Sequence, residues 1–398
     1  MEYIENGRSL VCCAVQELRS FSYSDDFKGP WPSVKRNVSA GHYLLGWTGC
    51  ELYDGSAGIL YFLLYAARLL KDEILSRETN DALAELLNLD IEEIATSKGI
   101  GVFIGLSGFF YVALHAYALN PNNRTKKFLS DCLSVIRKEL DRLTINDVID
   151  GKAGVLLVVL SYYEFFKDTY ALETAKILGE LLLQTAIREQ GHVGWIDHGA
   201  VPWGGFGHGV TGISYAMFRL FQHTASNNIF DVAYGGFIYE DSLFNADLDT
   251  WRDLRFCSIE HVANAWCNGA PGIGHARYRI KQIFRNLPFD ESIRAAEIAC
   301  RKPSRSDCLC HGTMGNLELL MDVTANHKDR GYATYLNDAI HEISKMAQAG
   351  RWRCGNSWNI KTFGLMTGIA GIGFQAARIV STEFIPSLLL LEPPSLPF

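Results

Sequence analysis

Gly55-Ser56-Ala57-Gly58, followed at once by Ile59-Leu60-Tyr61-Phe62-Leu63-Leu64-Tyr65, decides the fold, because the same step returns six more times. It recurs at Gly105-Leu106-Ser107-Gly108, Gly151-Lys152-Ala153-Gly154, Gly209-Val210-Thr211-Gly212, Gly269-Ala270-Pro271-Gly272, Gly312-Thr313-Met314-Gly315 and Gly368-Ile369-Ala370-Gly371. The first glycines are separated by 50, 46, 58, 60, 43 and 56 residues, room for one apolar and one amphipathic helix per unit. A lone Gly-x-x-Gly signals only a turn, as in Gly191-His192-Val193-Gly194, which no apolar run follows. Runs apolar on all sides, such as Phe109 to Leu114 and Val155 to Leu160, read as buried helices. Segments with one polar face, Lys126 to Leu143, Tyr170 to Glu189, Phe289 to Arg301 and Tyr332 to Ala349, read as an outer layer.

These periods predict an all-α fold, an α/α toroid in which seven inner helices, each opened by a Gly-x-x-Gly, stand inside a ring of amphipathic ones. The expected unit is a single domain over 1–398 with its toroid core at about 45–385. Taken alone, Val155 to Leu160 also suits a buried strand, and Ile238 to Asp249 a short hairpin. Parallel inner helices would bring their N-termini, with free N–H groups, to one end of the barrel. Residues just before the glycines would converge there: Asp147, His208, Cys267, Cys310 and His311.

Chemistry concentrates in Trp266-Cys267-Asn268-Gly269 and Cys310-His311-Gly312. Two thiolates and an imidazole form a three-ligand Zn²⁺ set with a fourth position open, the arrangement of catalytic zinc. The expectation is that Cys267, Cys310 and His311 hold Zn²⁺ and the open position takes a substrate thiol. The bland alternative is a buried Cys267, a buried Cys310 and a helix-capping His311. Cys308, two before Cys310, is the nearest competitor as a ligand. Asp54 and Asp150 read as helix caps, and Trp195, Trp203 and Trp266 as core or as the lining of a peptide groove.

Composition narrows the class. An apolar fraction of 48% with 20% charged residues excludes wholesale disorder. A net charge of −7 argues against nucleic acid as partner. Ten cysteines at irregular spacing, behind a polar start unlike a signal peptide, suggest a reducing, cytoplasmic setting. Apolar runs are too short for a membrane span.

The seven steps, with Trp266-Cys267-Asn268-Gly269, Cys310-His311-Gly312 and Gly207-His208-Gly209, resemble the LanC-type lanthionine cyclases. Cys310-His311-Gly312-x-x-Gly315-Asn316-Leu317-Glu318, Gly364 to Gly373 and the tail Pro386 to Pro394 are similar to the C-terminal cyclase domain of class II lanthipeptide synthetases (LanM). The resemblance runs from about Leu52 to the C-terminus. It implies a toroid with zinc at Cys267, Cys310 and His311, and thioether closure by Michael addition of a peptide cysteine to dehydroalanine or dehydrobutyrine. It places the site histidine at His208 and its acidic partner at Asp147. The implied partners are a dehydrated precursor peptide and a separate dehydratase domain or protein. Departures are Ala263 in place of the class I arginine, Asn268 in place of tyrosine or histidine, and Phe363 in place of proline. Competing readings are a LanC-like protein that binds glutathione and adds it to dehydrated residues, and a non-catalytic peptide-binding toroid braced by zinc. An α/α-barrel glycosidase would leave the Cys/His cluster without purpose.

Overall fold

Each of the seven Gly-x-x-Gly steps starts a helix one residue after its first glycine. The computed structural model describes residues 2–23, 29–37, 42–255, 262–326, 330–356 and 360–395. In chain order its helices are α1 (Glu2–Phe21), α2 (Ser56–Leu70), α3 (Glu73–Leu86), α4 (Ile91–Lys98), α5 (Leu106–Leu119), α6 (Asn123–Lys138), α7 (Lys152–Phe166) and α8 (Thr169–Thr185). They continue as α9 (Val210–Thr224), α10 (Asn227–Asp241), α11 (Ala270–Ile283), α12 (Asp290–Cys300), α13 (Thr313–Asn326), α14 (Arg330–Gln348) and α15 (Ile369–Val380). A 3₁₀ turn at Leu140–Arg142 and three antiparallel hairpins complete the described secondary structure: β1 (Pro32–Asn37) with β2 (His42–Trp47), β3 (Ile187–Glu189) with β4 (His192–Gly194), and β5 (Phe244–Asn245) with β6 (Thr250–Trp251).

The helices close into two concentric rings. Inner neighbours pack in the order α2, α5, α7, α9, α11, α13, α15 and back to α2. Each inner helix also packs on the outer helix that follows it, and α1 takes that place beside α15. This is the α/α toroid. Val155 to Leu160 is part of α7 and fully buried, so tertiary packing overrides the β preference of its valines. Two outer helices end sooner than their periodicity suggested: α6 stops at Lys138, and Ile187–Glu189 turns into β3. Ile238 to Asp249 divides between the last turn of α10 and the β5–β6 hairpin. Among the described residues no helix is long and apolar enough to cross a membrane.

The glycines are explained by close approach. Before six of the seven inner helices the loop doubles back so that the first helical N–H bonds a carbonyl seven residues earlier: Ser56 to Gly49 (2.9 Å), Leu106 to Gly99 (3.1 Å), Lys152 to Ile145 (3.0 Å), Val210 to Trp203 (2.9 Å), Thr313 to Ser306 (2.9 Å) and Ile369 to Thr362 (2.9 Å). The expected free N–H groups at the mouth are therefore taken up by the loops' own carbonyls, because a helix start buried this deeply must satisfy its donors. The returning loop crosses the second glycine so closely that a Cβ on Gly58 would lie 2.2 Å from the Leu52 carbonyl oxygen, and one on Gly371 1.8 Å from that of Leu365. The same glycine admits a side chain of the preceding unit: Leu52 at Gly108, Val102 at Gly154, Val148 at Gly212, Phe206 at Gly272 and Leu309 at Gly371. Gly58 meets Leu365 of the last unit, which closes the circle.

The C-terminal segment fills the axis. Leu388 to Leu391 are fully buried, and the Leu389 carbonyl accepts from Trp266 Nε1 at 3.0 Å and that of Leu391 from Ser161 Oγ at 2.6 Å. Trp266 and Trp195 are thus core, not groove.

Gly58→Ala should lower the midpoint of urea unfolding, equivalent to about 1–3 kcal/mol for overpacking at a rigid contact. Gly46→Ala, where a Cβ would meet nothing within 4 Å, should leave it unchanged. Equal midpoints for the two variants would show that the ring contact is not tight.

Candidate metal centre and its histidine pair

Equivalent positions of successive units lie side by side at the mouth. Two residues before each first glycine stand Tyr53, Phe103, Ile149, Gly207, Cys267, Cys310 and Met366. Backbone bonds join them: Cys310 N to Met366 O (3.0 Å), Met366 N to Tyr53 O (2.7 Å), Tyr53 N to Phe103 O (2.9 Å), Phe103 N to Ile149 O (3.0 Å), Val148 N to Gly207 O (3.1 Å) and Gly207 N to Cys267 O (2.8 Å). The chain of bonds starts at one cysteine and ends at the other.

Their thiols interact. The hydrogen bond from Cys310 draws Cys267 down, burial opposes it, and the charges of His311, His208 and Arg255 help bring Cys267 to about 6. The same bond, with burial, sends Cys310 up. The two thiols therefore share one proton at neutral pH, Cys267 being the more acidic member of the pair. Tyr53 Oη donates to Cys310 Sγ at 3.1 Å, and burial together with the cysteines' charge keeps its phenol protonated.

His311 is exposed, and its Nε2–H donates to the Gly355 carbonyl at 3.0 Å. A Cβ on Gly355 would come within 2.8 Å of Cys308 Sγ and 2.9 Å of His311 Nε2, so glycine is what lets the imidazole settle there. Cys308 raises His311 most; burial opposes this and the Cys267 charge adds to it, leaving the imidazole at about 9. The paired sulfurs of Cys267 and Cys310 suit a soft divalent ion in donor chemistry, whereas the His311 imidazole is engaged by Cys308 and the Gly355 carbonyl, and the three expected ligands are not among the groups of described residues whose ligand atoms all lie within 4.8 Å of one another.

One group of three among the described residues has all its ligand atoms within 4.8 Å of one another, and it is Asp147, His198 and His208. Asp147 Oδ2 accepts from His208 Nδ1 at 2.7 Å and from His198 Nε2 at 3.1 Å. The carboxylate is 1% exposed, whereas the two imidazoles are about a third exposed. Burial pushes Asp147 up, yet the two imidazoles and the Asp150 N–H outweigh it and hold it below the usual range. His208 is lowered by burial but raised overall by Asp147 and by the Cys267 charge. Neither Asp147 nor His208 caps a helix, since Gly151 and Gly209 hold those positions. Nor does Asp54, which instead accepts from Thr367 N and Oγ1 and ties the first loop to the last.

A family model described as lanthionine synthetase C-like protein matches residues 46–390. The chain belongs to the lanthionine synthetase C-like family. The lacticin 481/lactococcin biosynthesis protein LcnDR2 of Lactococcus lactis subsp. lactis is 24% identical over 356 residues, 84% of this chain and 36% of that protein. The chain thus spans about a third of that relative's length. Among solved structures, nisin cyclase superposes with a TM-score of 0.67 at 15% identity, over 86% of this chain and 92% of that one. An unsaturated glucuronyl hydrolase from Streptococcus agalactiae gives 0.50 at 11% identity, over 98% and 92%. These two likenesses concern the helical double ring.

In this LanC-like chain alanine occupies position 263, and the guanidinium that bears electrostatically on Cys267 and Cys310 belongs to Arg255, gripped by Asp253 through Nε (2.9 Å) and an NH2 contact of 2.6 Å. Arg255, His198 and Tyr53 escaped the sequence reading. Tyr53 was accessible to it, since it stands where Cys267 and Cys310 stand in their own units. His198 sits outside the repeat, on a loop fixed when Asp197 accepts from Asn146 N (3.0 Å) and Nδ2 (2.7 Å) beside Asp147. Trp203, half-buried, packs on His198 with ring centroids 5.4 Å apart.

In the metal-free protein, alkylation of Cys267 by iodoacetamide, followed by peptide mass spectrometry, should reach its plateau below pH 7 with a midpoint at about 6. Since only the thiolate reacts, removing the donor in Cys310→Ala should move that midpoint upward. An ordinary thiol profile in the unsubstituted protein would refute the shared proton.

Proposed function

We propose that this chain closes lanthionine and methyllanthionine rings, joining a peptide cysteine to a dehydroalanine or dehydrobutyrine of the same dehydrated precursor. The observation that supports this most is the convergence of the Cys267–Cys310 pair and the Asp147–His208 pair on one ring of loops. Family membership and the relative's part in lacticin 481 biosynthesis agree with it. The ligands would be Cys267, Cys310 and His311, and Zn²⁺ bound there would supply the peptide cysteine as a thiolate near neutral pH.

His208 handles the proton. With Nδ1 bound to Asp147, Nε2 takes the thiol proton and later returns it to the substrate. As the C–S bond forms at the alkene's β carbon, the π pair moves onto the α carbon and its carbonyl, and protonation there completes the addition. Nothing leaves. Asp147 is a positioning residue that holds the imidazole's tautomer and favours its protonated form. Tyr53 donates to Cys310 and so tempers the charge on that sulfur. A dehydratase, on another domain or another protein, must supply the alkene. The described cysteines are all free, which suits the reducing cytoplasm.

With a dehydrated precursor, the unsubstituted protein should consume free thiols. Cys267→Ala should lose both zinc and ring closure. His208→Ala should retain zinc while slowing closure by about 10²–10⁴-fold, the worth of a general acid–base. Asp147→Asn should move the pH profile of closure downward, because His208 loses the partner that raises it. Full zinc content in Cys267→Ala would sink the ligand assignment.

A further inference from the structure

The β1–β2 hairpin has no place in the toroid and carries an unusual load of exposed apolar surface. Its register pairs Pro32 with Trp47 and Val34 with Leu45, and alternation along each strand puts these four on one face. Leu45 is 84% exposed and Trp47 52%, and Tyr23, 78% exposed, packs its ring edge-to-face on Trp47 at 5.8 Å. Solvated side chains of this size gathered on one small sheet mark an interaction surface.

The face leads somewhere. Val34 lines a cavity of about 450 Å³ whose other walls include Ile104, Ile149, Tyr53, Asp54 and His208. Its apolar side therefore runs from Trp47 and Leu45, through Val34, to the residues set beside Cys267 and Cys310. Of the proposed site residues His208 lines this cavity, so a chain whose cysteine and dehydrated residue react at that imidazole has to leave along one of the cavity's walls. The hairpin contributes the uncharged Ser33 and Val34 to this wall, while the acids Glu51 and Asp54 in the cavity's lining disfavour an acidic peptide.

We propose that the hairpin face of Pro32, Val34, Leu45 and Trp47 is the docking surface for the precursor peptide: an extended, uncharged, apolar segment flanking the reacting residues lies along it. This rests on the cyclase reading. Dehydroalanine and dehydrobutyrine are themselves planar and apolar, so the segment that carries them matches the surface in chemistry. Leu45 and Trp47 act in binding and stand apart from bond making.

The test uses the full chain, loaded with zinc, and a synthetic peptide carrying one dehydrobutyrine and one cysteine separated by apolar residues. A non-reacting analogue with alanine for cysteine reports affinity by fluorescence anisotropy. Leu45→Asp and Trp47→Asp should raise KM and the analogue's Kd by about tenfold, as for loss of one apolar anchor, with kcat within about twofold of the unsubstituted value. Ile74→Asp, an exposed apolar site on α3, should change neither. Ring closure with KM unchanged in the hairpin variants overturns the surface and leaves the cyclase reading intact. Analogue binding that depends on the hairpin, without ring closure by the unsubstituted protein, overturns the activity and supports the surface. A self-associating protein that Leu45→Asp renders monomeric, with KM unchanged, would assign the face to a second copy and overturn the proposal.

Discussion

The structure depends on one backbone constraint: at six of the seven inner helices the chain folds back so that a carbonyl seven residues earlier reaches the first helical N–H. Buried helix starts leave donors that nothing else is close enough to satisfy. The loop that does this crosses its own helix twice, and glycine stands at both crossings because a Cβ would collide with backbone. At Gly55 that backbone is Glu51 at 2.4 Å, and at Gly58 it is Leu52 at 2.2 Å. The backbone at these first glycines is extended, a conformation open to any residue, so it is space and not dihedral angle that selects them.

Once seven loops are locked in the same shape, their equivalent residues become neighbours, and chemistry is written by varying one position around the circle. Most units fill it with Tyr, Phe, Ile, Gly or Met, while two consecutive units fill it with cysteine. The sulfurs then share a proton that a bound ion can replace. Burial alone would raise both thiols, as it raises Cys354 to about 11. The opposite shift of Cys267 needs the neighbouring thiol, the imidazoles and Arg255 together. A similar competition sets the histidine pair, where a nearly inaccessible carboxylate stays ionised because two imidazoles lean on one of its oxygens.

Much of this was legible in the order of residues. The repeat specified the number of inner helices and their starting points, and it set Asp147 beside His208 and Cys267 beside Cys310, since all are defined by distance from a glycine. What periodicity could not supply lay outside the repeat. His198 and Arg255 come from loops between units, and the partner of α15 is α1, from the other end of the chain. The β1–β2 hairpin was equally invisible, because exposed apolar residues on a short sheet leave no core-facing alternation. The cap assigned to Asp54 failed for a clear reason: with the helix donor already taken by a loop carbonyl, this carboxylate was free to bridge to Thr367 of the last loop.

The most direct test of the proposed metal centre is the number of protons released on addition of zinc. Metal-free protein titrated calorimetrically with Zn²⁺ at pH 7, in buffers of differing ionisation enthalpy, should take up one ion with release of about two protons. One comes from the thiol pair, which holds a single proton at that pH, and one from His311, held at about 9. One-to-one binding that releases no protons, or the same release in Cys310→Ala, would contradict the account.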